Sequence, residues 1–309
     1  MTAALKITHS FDGLIDQLPS DASKRAYRAD WVRYCAWCKK HKLDVRRAKP
    51  RDVMAHLSAL QKDGKAKSTI GRALSVIREV YAGFVRDELM ATNPAREVKP
   101  PRMSGVPKTP WLDESAMTKI LNLPAKTWEE RRDRVAAFLL FGLGWRRSEV
   151  ARMRLEERPD GEYPFTMLHL CNGTCHAILK GRKEHTVGVP EWVLKAAAEW
   201  RDFASITNGL AMLPRWDNDP EPISGGMLYK IVKKLARRAG LDKTKVTPHG
   251  FRRSFITLGG EKGVDLKKRQ LAAGHSSSAT TERYDRAREA AASAPGEVFA
   301  GMIKKARKR

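Results

Sequence analysis

At 309 residues the chain is long enough for two domains of ordinary size, each with its own core. Lysine and arginine outnumber aspartate and glutamate by 59 to 35, a net charge of +24. That excess calls for a polyanionic partner, nucleic acid before any other, with a generically basic surface as the bland alternative. No run of about eighteen apolar residues occurs, and the opening MTAALKITHSFDGLIDQL has no apolar core of signal-peptide length. Neither a membrane span nor export is expected, and a cytoplasmic location is expected.

Residues from about Ser20 to Glu88 read as helices. Ser20 and Asp21 can cap the first, whose apolar stripe is Tyr27, Trp31, Tyr34, Cys35 and Cys38. The second begins near Pro50, with Val53, Leu57 and Leu60 on one face. The third carries Ile70, Leu74, Ile77, Tyr81 and Phe84. Lys65, Lys67, Arg72 and Arg78 flank these stripes or face away from them, as candidate DNA contacts; a solvated face is the alternative. The four cysteines fall in the pairs Cys35/Cys38 and Cys171/Cys175, spacings that invite a zinc reading. The first pair lies on the apolar stripe, where buried free thiols suffice. The second flanks Asn172-Gly173, a hairpin signal. No metal is expected.

Asn93–Pro110 holds five prolines among basic residues and reads as an extended linker, dividing the chain into domains 1–104 and 105–309. Asp113 and Glu114 open a short helix over Ala116–Leu121, and a buried helix follows at about Trp128–Leu143. Then comes WRRSEVARMRLEE, in which Glu149 lies one turn from Arg146, close enough to hold its guanidinium; Arg147 is the alternative arginine. Tyr163–Pro190 alternates like three strands, with Lys180-Gly181-Arg182-Lys183 in the last turn. Helices follow at Glu191–Phe203 and Gly225–Ala239. In the second, Met227, Leu228, Ile231, Val232 and Leu235 face the core, while Lys230, Lys233, Lys234, Arg237 and Arg238 face out, able to lie in a DNA groove.

The stretch after Thr247 concentrates the chemistry. It places His249, Arg252 and Arg253 together, then Gly274-His275 and a serine run, then Tyr284 about nine residues on. A tyrosine hydroxyl can form a covalent ester with phosphorus. Arginine forks hold non-bridging phosphate oxygens, and imidazole moves protons near neutral pH.

At these residues the sequence resembles the tyrosine recombinase (phage integrase) family, in its Cre/Xer-like form. Gly144-Trp145-Arg146-Arg147-Ser148-Glu149-Val150 is similar to the family's first box, with Trp145 where leucine is usual. His249, Arg252, His275 and Tyr284 match the second box. Phe251 replaces a leucine there, Arg253 a frequent histidine, and Ala273 a leucine. The register of the box favours Arg146 over Arg147.

The resemblance implies a fold that is mainly α with a small β-sheet. An N-terminal helical core-binding (SAM-like) domain would precede an α+β catalytic domain. It implies a site-specific recombinase that cleaves and rejoins double-stranded DNA through a 3′-phosphotyrosyl intermediate and a Holliday junction. The catalytic set would be Arg146, Lys180, His249, Arg252, His275 and Tyr284, supported by Glu149. Lys180 would protonate the leaving oxygen, though a point-charge contact to phosphate is the alternative. Lys65, Lys67, Arg72, Arg78 and Arg237 would contact DNA. No cofactor and no metal are implied. The partners would be inverted-repeat DNA sites and three further copies of the chain in a tetramer. The protein would be nucleoid-associated and encoded by a prokaryote, phage or mobile element. Glu297–Arg309 reads as a tail helix with Val298, Phe299, Met302 and Ile303 on one side. It would dock on a neighbouring subunit or on its own domain. A type IB topoisomerase-like enzyme and a DNA-binding protein without chemistry remain the alternatives.

Overall fold

The computed structural model describes residues 11–18, 21–101, 110–156, 166–179, 183–217 and 219–274. The chain divides into two compact units, Met1–Ser104 and Gly105–Arg309. Among the described residues no helix is long and apolar enough to cross a membrane.

The first unit is helical: α1 over residues 11–16, α2 Asp21–Lys40, a 3-10 turn Val45–Arg47, α3 Pro50–Lys62 and α4 Lys67–Arg86. Pro50 starts α3 at the position where its missing N–H costs nothing, and the Asp52 carboxylate accepts the Lys49 N–H at 2.8 Å. The predicted stripes converge. Trp31 meets Tyr81 and Phe84 edge to face at 5.8 and 5.7 Å, the arrangement their ring quadrupoles favour. The hydroxyls of Tyr34 and Tyr81 share a hydrogen bond of 3.0 Å, and Tyr81 donates onward to the Val45 carbonyl.

Two arginines expected to face DNA are engaged inside this unit. Arg72 reaches the fully buried Asp30 carboxylate at 2.7 Å, opposite Arg33 at the same distance. Arg78 donates to the carbonyls of Ala95 and Val98 at 3.2 and 2.7 Å. The start of the proline-rich stretch is thus not free linker, because Ala95 and Val98 are buried against the first unit. Proline bars regular structure there but leaves carbonyls open to an arginine fork. Lys65 and Lys67 are exposed.

The second unit comprises α5 Glu114–Leu121, α6 Trp128–Gly142, α7 Arg147–Ala151, strands β1 Arg154–Leu155, β2 Met167–His169, β3 Thr174–Leu179 and β4 Lys183–Gly188, then α8 Glu191–Phe203, α9 Gly225–Arg238, α10 Pro248–Glu261 and α11 Leu266–Ala273. The sheet order is β1-β2-β3-β4, with β1 parallel to β2 and the other pairs antiparallel. The molecule is mainly α with a small sheet, as its sequence predicts. β1 was absent from that reading, being two residues long and paired to Met167 and Leu168 in a separate stretch of sequence.

Helix α6 runs through the core, burying Val135, Ala136, Leu139 and Leu140 against Val193 of α8 and Val232 of α9. Cys38 and Cys175 are buried, Cys35 is half-buried and Cys171 is exposed. Among the described residues no three His, Cys, Asp or Glu side chains cluster as a metal site would.

The basic face of α9 is less open than its sequence suggests. Lys233 donates to the Val246 carbonyl at 2.7 Å, Lys234 pairs with the buried Asp133 at 2.9 Å, and Arg238 pairs with Glu130 at 3.2 Å. Lys230 and Arg237 stay exposed.

Candidate active site

One glycine turn organises the site. Gly144 follows α6 with φ +62, and a Cβ there would lie 2.3 Å from the Phe255 ring, so the position demands glycine on both counts. The turn delivers Arg146 to the N-cap of α7. Glu149, three residues on, accepts the Arg146 backbone N–H at 2.7 Å and its guanidinium Nη1 at 2.8 Å. One carboxylate thereby closes the helix end and fixes the side chain. The Arg146 side chain is 42% exposed, so most of its five donors stay available to a ligand.

Helix α10 supplies the second arginine. Thr247 caps it, accepting the Gly250 N–H at 3.0 Å, and Pro248 opens its first turn. His249 and Arg252 then lie one turn apart on the same face. Arg252 is buried and donates Nη1 to the Gly144 carbonyl at 2.9 Å. The turn that sets Arg146 therefore also anchors Arg252. The two boxes are about a hundred residues apart in sequence, and they meet in a cavity of about 450 Å³. Trp145, Arg146, Arg147, Tyr229, His249 and Arg252 line it.

The electrostatics follow from this gathering of cations. His249 is solvent-accessible, yet the protein around its ring withholds part of its hydration. Its pKa is held below the ordinary imidazole value by that desolvation first, then by the charges of Arg252, Arg253 and Arg146. The imidazole is neutral at pH 7 and can take a proton beside a group the arginines hold. An anion with several oxygens suits this cleft: two guanidinium forks and an imidazole around one space, with Glu149 occupied by Arg146.

Of the predicted catalytic residues, the structure brings together Arg146, His249 and Arg252, with Glu149 behind Arg146. Lys180, His275 and Tyr284 lie outside the described residues. Arg237 is on the exposed side of α9 and does not line the cavity. Lys65, Lys67, Arg72 and Arg78 belong to the first unit. Sequence reasoning missed Tyr229, which lines the cavity and is 39% exposed. Its only signal was a polar-edged aromatic on the face of α9 opposite the core stripe.

Residues 110–291 match the phage integrase family profile, and residues 11–88 match the phage integrase N-terminal SAM-like domain. Among curated proteins the chain is similar to tyrosine recombinase XerD of Oceanobacillus iheyensis, 27% identical over 272 residues, covering 86% of this chain and 87% of that one. It is also similar to tyrosine recombinase XerD of Corynebacterium glutamicum, 30% identical over 269 residues, covering 84% and 85%. Among solved structures, a lambda integrase dimer bound to a COC′ core site shares the fold, with TM-score 0.67 at 14% identity over 92% of this chain and 77% of that one. So does XerH recombinase bound to a palindromic difH substrate, with TM-score 0.65 at 19% identity, over 87% and 79%. Two matched profiles, a relative at 30% identity and an arginine–histidine cleft built from both sequence boxes lead to one conclusion: the chain belongs to the phage integrase family and is a site-specific tyrosine recombinase.

Proposed function

We propose that this recombinase exchanges strands between double-stranded DNA sites by transesterification at the Arg146–His249–Arg252 cleft. Tyr284 is the nucleophile. Its oxygen attacks the scissile phosphorus, the bond from phosphorus to the 5′-oxygen breaks, and a 3′-phosphotyrosyl ester forms. A free phenol has a pKa near ~10, so about one in a thousand is ionised at neutral pH. The neutral His249 accepts that proton. Arg146 and Arg252 carry the charge that develops on the five-coordinate phosphorus. His275 donates a hydrogen bond to a phosphate oxygen, and Lys180 protonates the leaving 5′-oxygen. The 5′-hydroxyl of a partner strand then reverses the step, giving a Holliday junction that a second round resolves. The ester conserves the bond energy, so no nucleotide cofactor is consumed. The observation that carries this reading is the convergence of two arginines and a neutral imidazole on one cleft through the Gly144 turn.

The first unit serves as the core-binding domain over 1–104 and the second as the catalytic domain over 105–309. Lys65, Lys67, Lys230 and Arg237 are exposed cations suited to DNA phosphates. Related proteins have been captured as a lambda integrase tetramer bound to a Holliday junction and as XerH bound to difH. By analogy this chain works as a tetramer on paired inverted-repeat sites, in the cytoplasm, on a chromosome, phage or mobile element. The C-terminal tail lies outside the described residues. An apolar groove of about 490 Å³ on the catalytic unit, walled by Met117, Leu121, Phe141, Trp192, Phe255 and Val264, suits its Val298–Phe299–Met302–Ile303 face. Delivery of that tail from a neighbouring subunit would close a ring of four.

The test uses purified protein and paired sites from its native element in excess chelator. Accumulation of Holliday junctions and recombinant product is expected. Relaxation of supercoiled DNA without junctions would assign a topoisomerase instead. Site binding without any cleavage would assign a non-catalytic DNA-binding protein.

A further inference from the structure

Three separate elements of the catalytic unit meet at a single carbonyl oxygen, that of Ala272. Trp145 is almost fully buried, and its indole Nε1–H donates to this oxygen at 2.9 Å. His185, on β4, approaches the same oxygen with Nε2 at 3.5 Å. Its ring packs 5.9 Å from the Trp145 ring, centroid to centroid. The third element is the last turn of α11, to which Ala272 belongs.

The geometry answers two needs at once. Carbonyls of a helix's last turn lack partners within the helix, so that of Ala272 must find a donor elsewhere. A buried indole likewise needs an acceptor for its N–H. Leucine, usual at this position in the family's first box, has no donor. The tie therefore belongs to the tryptophan of this chain.

Both ends of the tie lead to the cleft. Trp145 lies between Gly144, whose carbonyl anchors Arg252, and Arg146, held by Glu149. Ala272 lies two residues before Gly274, which ends α11 in a left-handed conformation with φ +63 and returns its N–H to Leu271 at 2.9 Å. The next residue in the sequence is His275.

We propose that Trp145, seconded by His185, is a positioning residue for cleavage. It fixes the end of α11, and so the entry of the chain into His275, against the Arg146–Arg252 cleft. The inference rests on His275 acting at that cleft. Both side chains act through the backbone at Ala272, whose carbonyl they share.

The test replaces the Trp145 indole by benzothiophene, which keeps the ring shape and removes the N–H, alongside Trp145→Phe and His275→Ala. Three readouts are taken on the full chain: affinity for one half-site, single-turnover cleavage of a nicked site, and amide exchange at Gly274. The expected result is affinity within about twofold and cleavage slowed about tenfold or more, since misplacement of about an ångström costs up to ~100-fold. Gly274 exchange should quicken. Unchanged cleavage and unchanged Gly274 exchange with benzothiophene would overturn the proposal. Parallel loss of affinity, cleavage and thermal stability in both Trp145 variants would also overturn it, by making Trp145 a core residue and nothing more. If His275→Ala cleaves at the wild-type rate, the role of His275 fails instead, and Gly274 exchange alone decides whether the tie exists.

Discussion

Both units tie arginines to their own buried groups, Arg72 to Asp30 in the first and Arg132 to Asp133 in the second, but the second also gathers arginines around an open cavity. In the first, Asp30 is fully buried and held between Arg33 and Arg72, while Arg78 serves the carbonyls of Ala95 and Val98. Those forks neutralise or satisfy groups of the protein itself, as a buried carboxylate requires. In the second, Arg146, Arg147 and Arg252 border one open cavity. Glu149 takes only part of the Arg146 fork there. The lesson is that a net charge of +24 cannot be assigned to a partner by counting. What decides is what surrounds each guanidinium: a buried carboxylate for Arg72, a shared cavity for Arg146 and Arg252.

The largest expected effect separates charge from proton transfer within the cleft. Arg146→Ala should slow cleavage by about 10³-fold, the scale of losing a preorganised donor to a transition-state oxyanion. Lys180→Ala should slow it by about 10²- to 10³-fold. A substrate with sulfur at the bridging 5′ position has a leaving group that needs no proton. It should restore cleavage to Lys180→Ala and not to Arg146→Ala. Single-turnover rates on both substrates measure this, and equal rescue of both variants removes the general-acid role of Lys180.

Next in size is a pH effect confined to the first unit. His56 is buried against Tyr34 and Trp37, and neither ring nitrogen has a hydrogen-bond partner among the described residues. Burial first, then the Arg33 charge, depresses its pKa to about 4. The folded unit therefore keeps His56 neutral where the unfolded chain takes up a proton. Its contribution is fully present above the unfolded value of about 6.5 and is lost as pH falls from there toward 4. The loss should be on the order of 3 kcal/mol across that window. Urea unfolding at pH 7, 5.5 and 4.5 should show a steeper decline in wild type than in His56→Leu. Parallel declines would mean that His56 is hydrated or paired in solution.

How much of this was legible in the sequence depended on how local each signal was. Pro50 and the Val53–Leu57–Leu60 spacing mark α3 within one helix, and the structure buries those three residues. Arg146 was legible because Glu149 stands one turn away in the same segment. The task of Arg72 was not, because Asp30 lies 42 residues distant and its burial comes only with tertiary packing. Asn93–Val98 read as linker because prolines forbid helix and strand. They say nothing about carbonyls that a distant arginine can reach. Tyr229 belonged to no motif and faces the cavity only because α9 packs beside α7.

The smallest effect sharpens the same contrast. Arg72→Ala should destabilise the first unit by about 1–2 kcal/mol, less than a fully buried pair because Arg33 remains and Arg72 is half exposed. Affinity for a half-site should change by less than about threefold, well short of the salt-dependent loss a phosphate contact would give. Denaturant midpoints and salt titrations of binding distinguish the two. A large affinity loss with unchanged stability would return Arg72 to the DNA-contacting set.

The proposed cleft would activate Tyr284 toward a phosphodiester. Its most direct measurement is mass-spectrometric mapping of the adduct formed on a nicked native site in excess chelator. The predicted result is a single phosphotyrosyl peptide containing Tyr284, joined to the 3′ end of the cleaved strand and absent from Tyr284→Phe. An adduct on Tyr229, a 5′-linked adduct, or attachment that requires added metal would contradict the account.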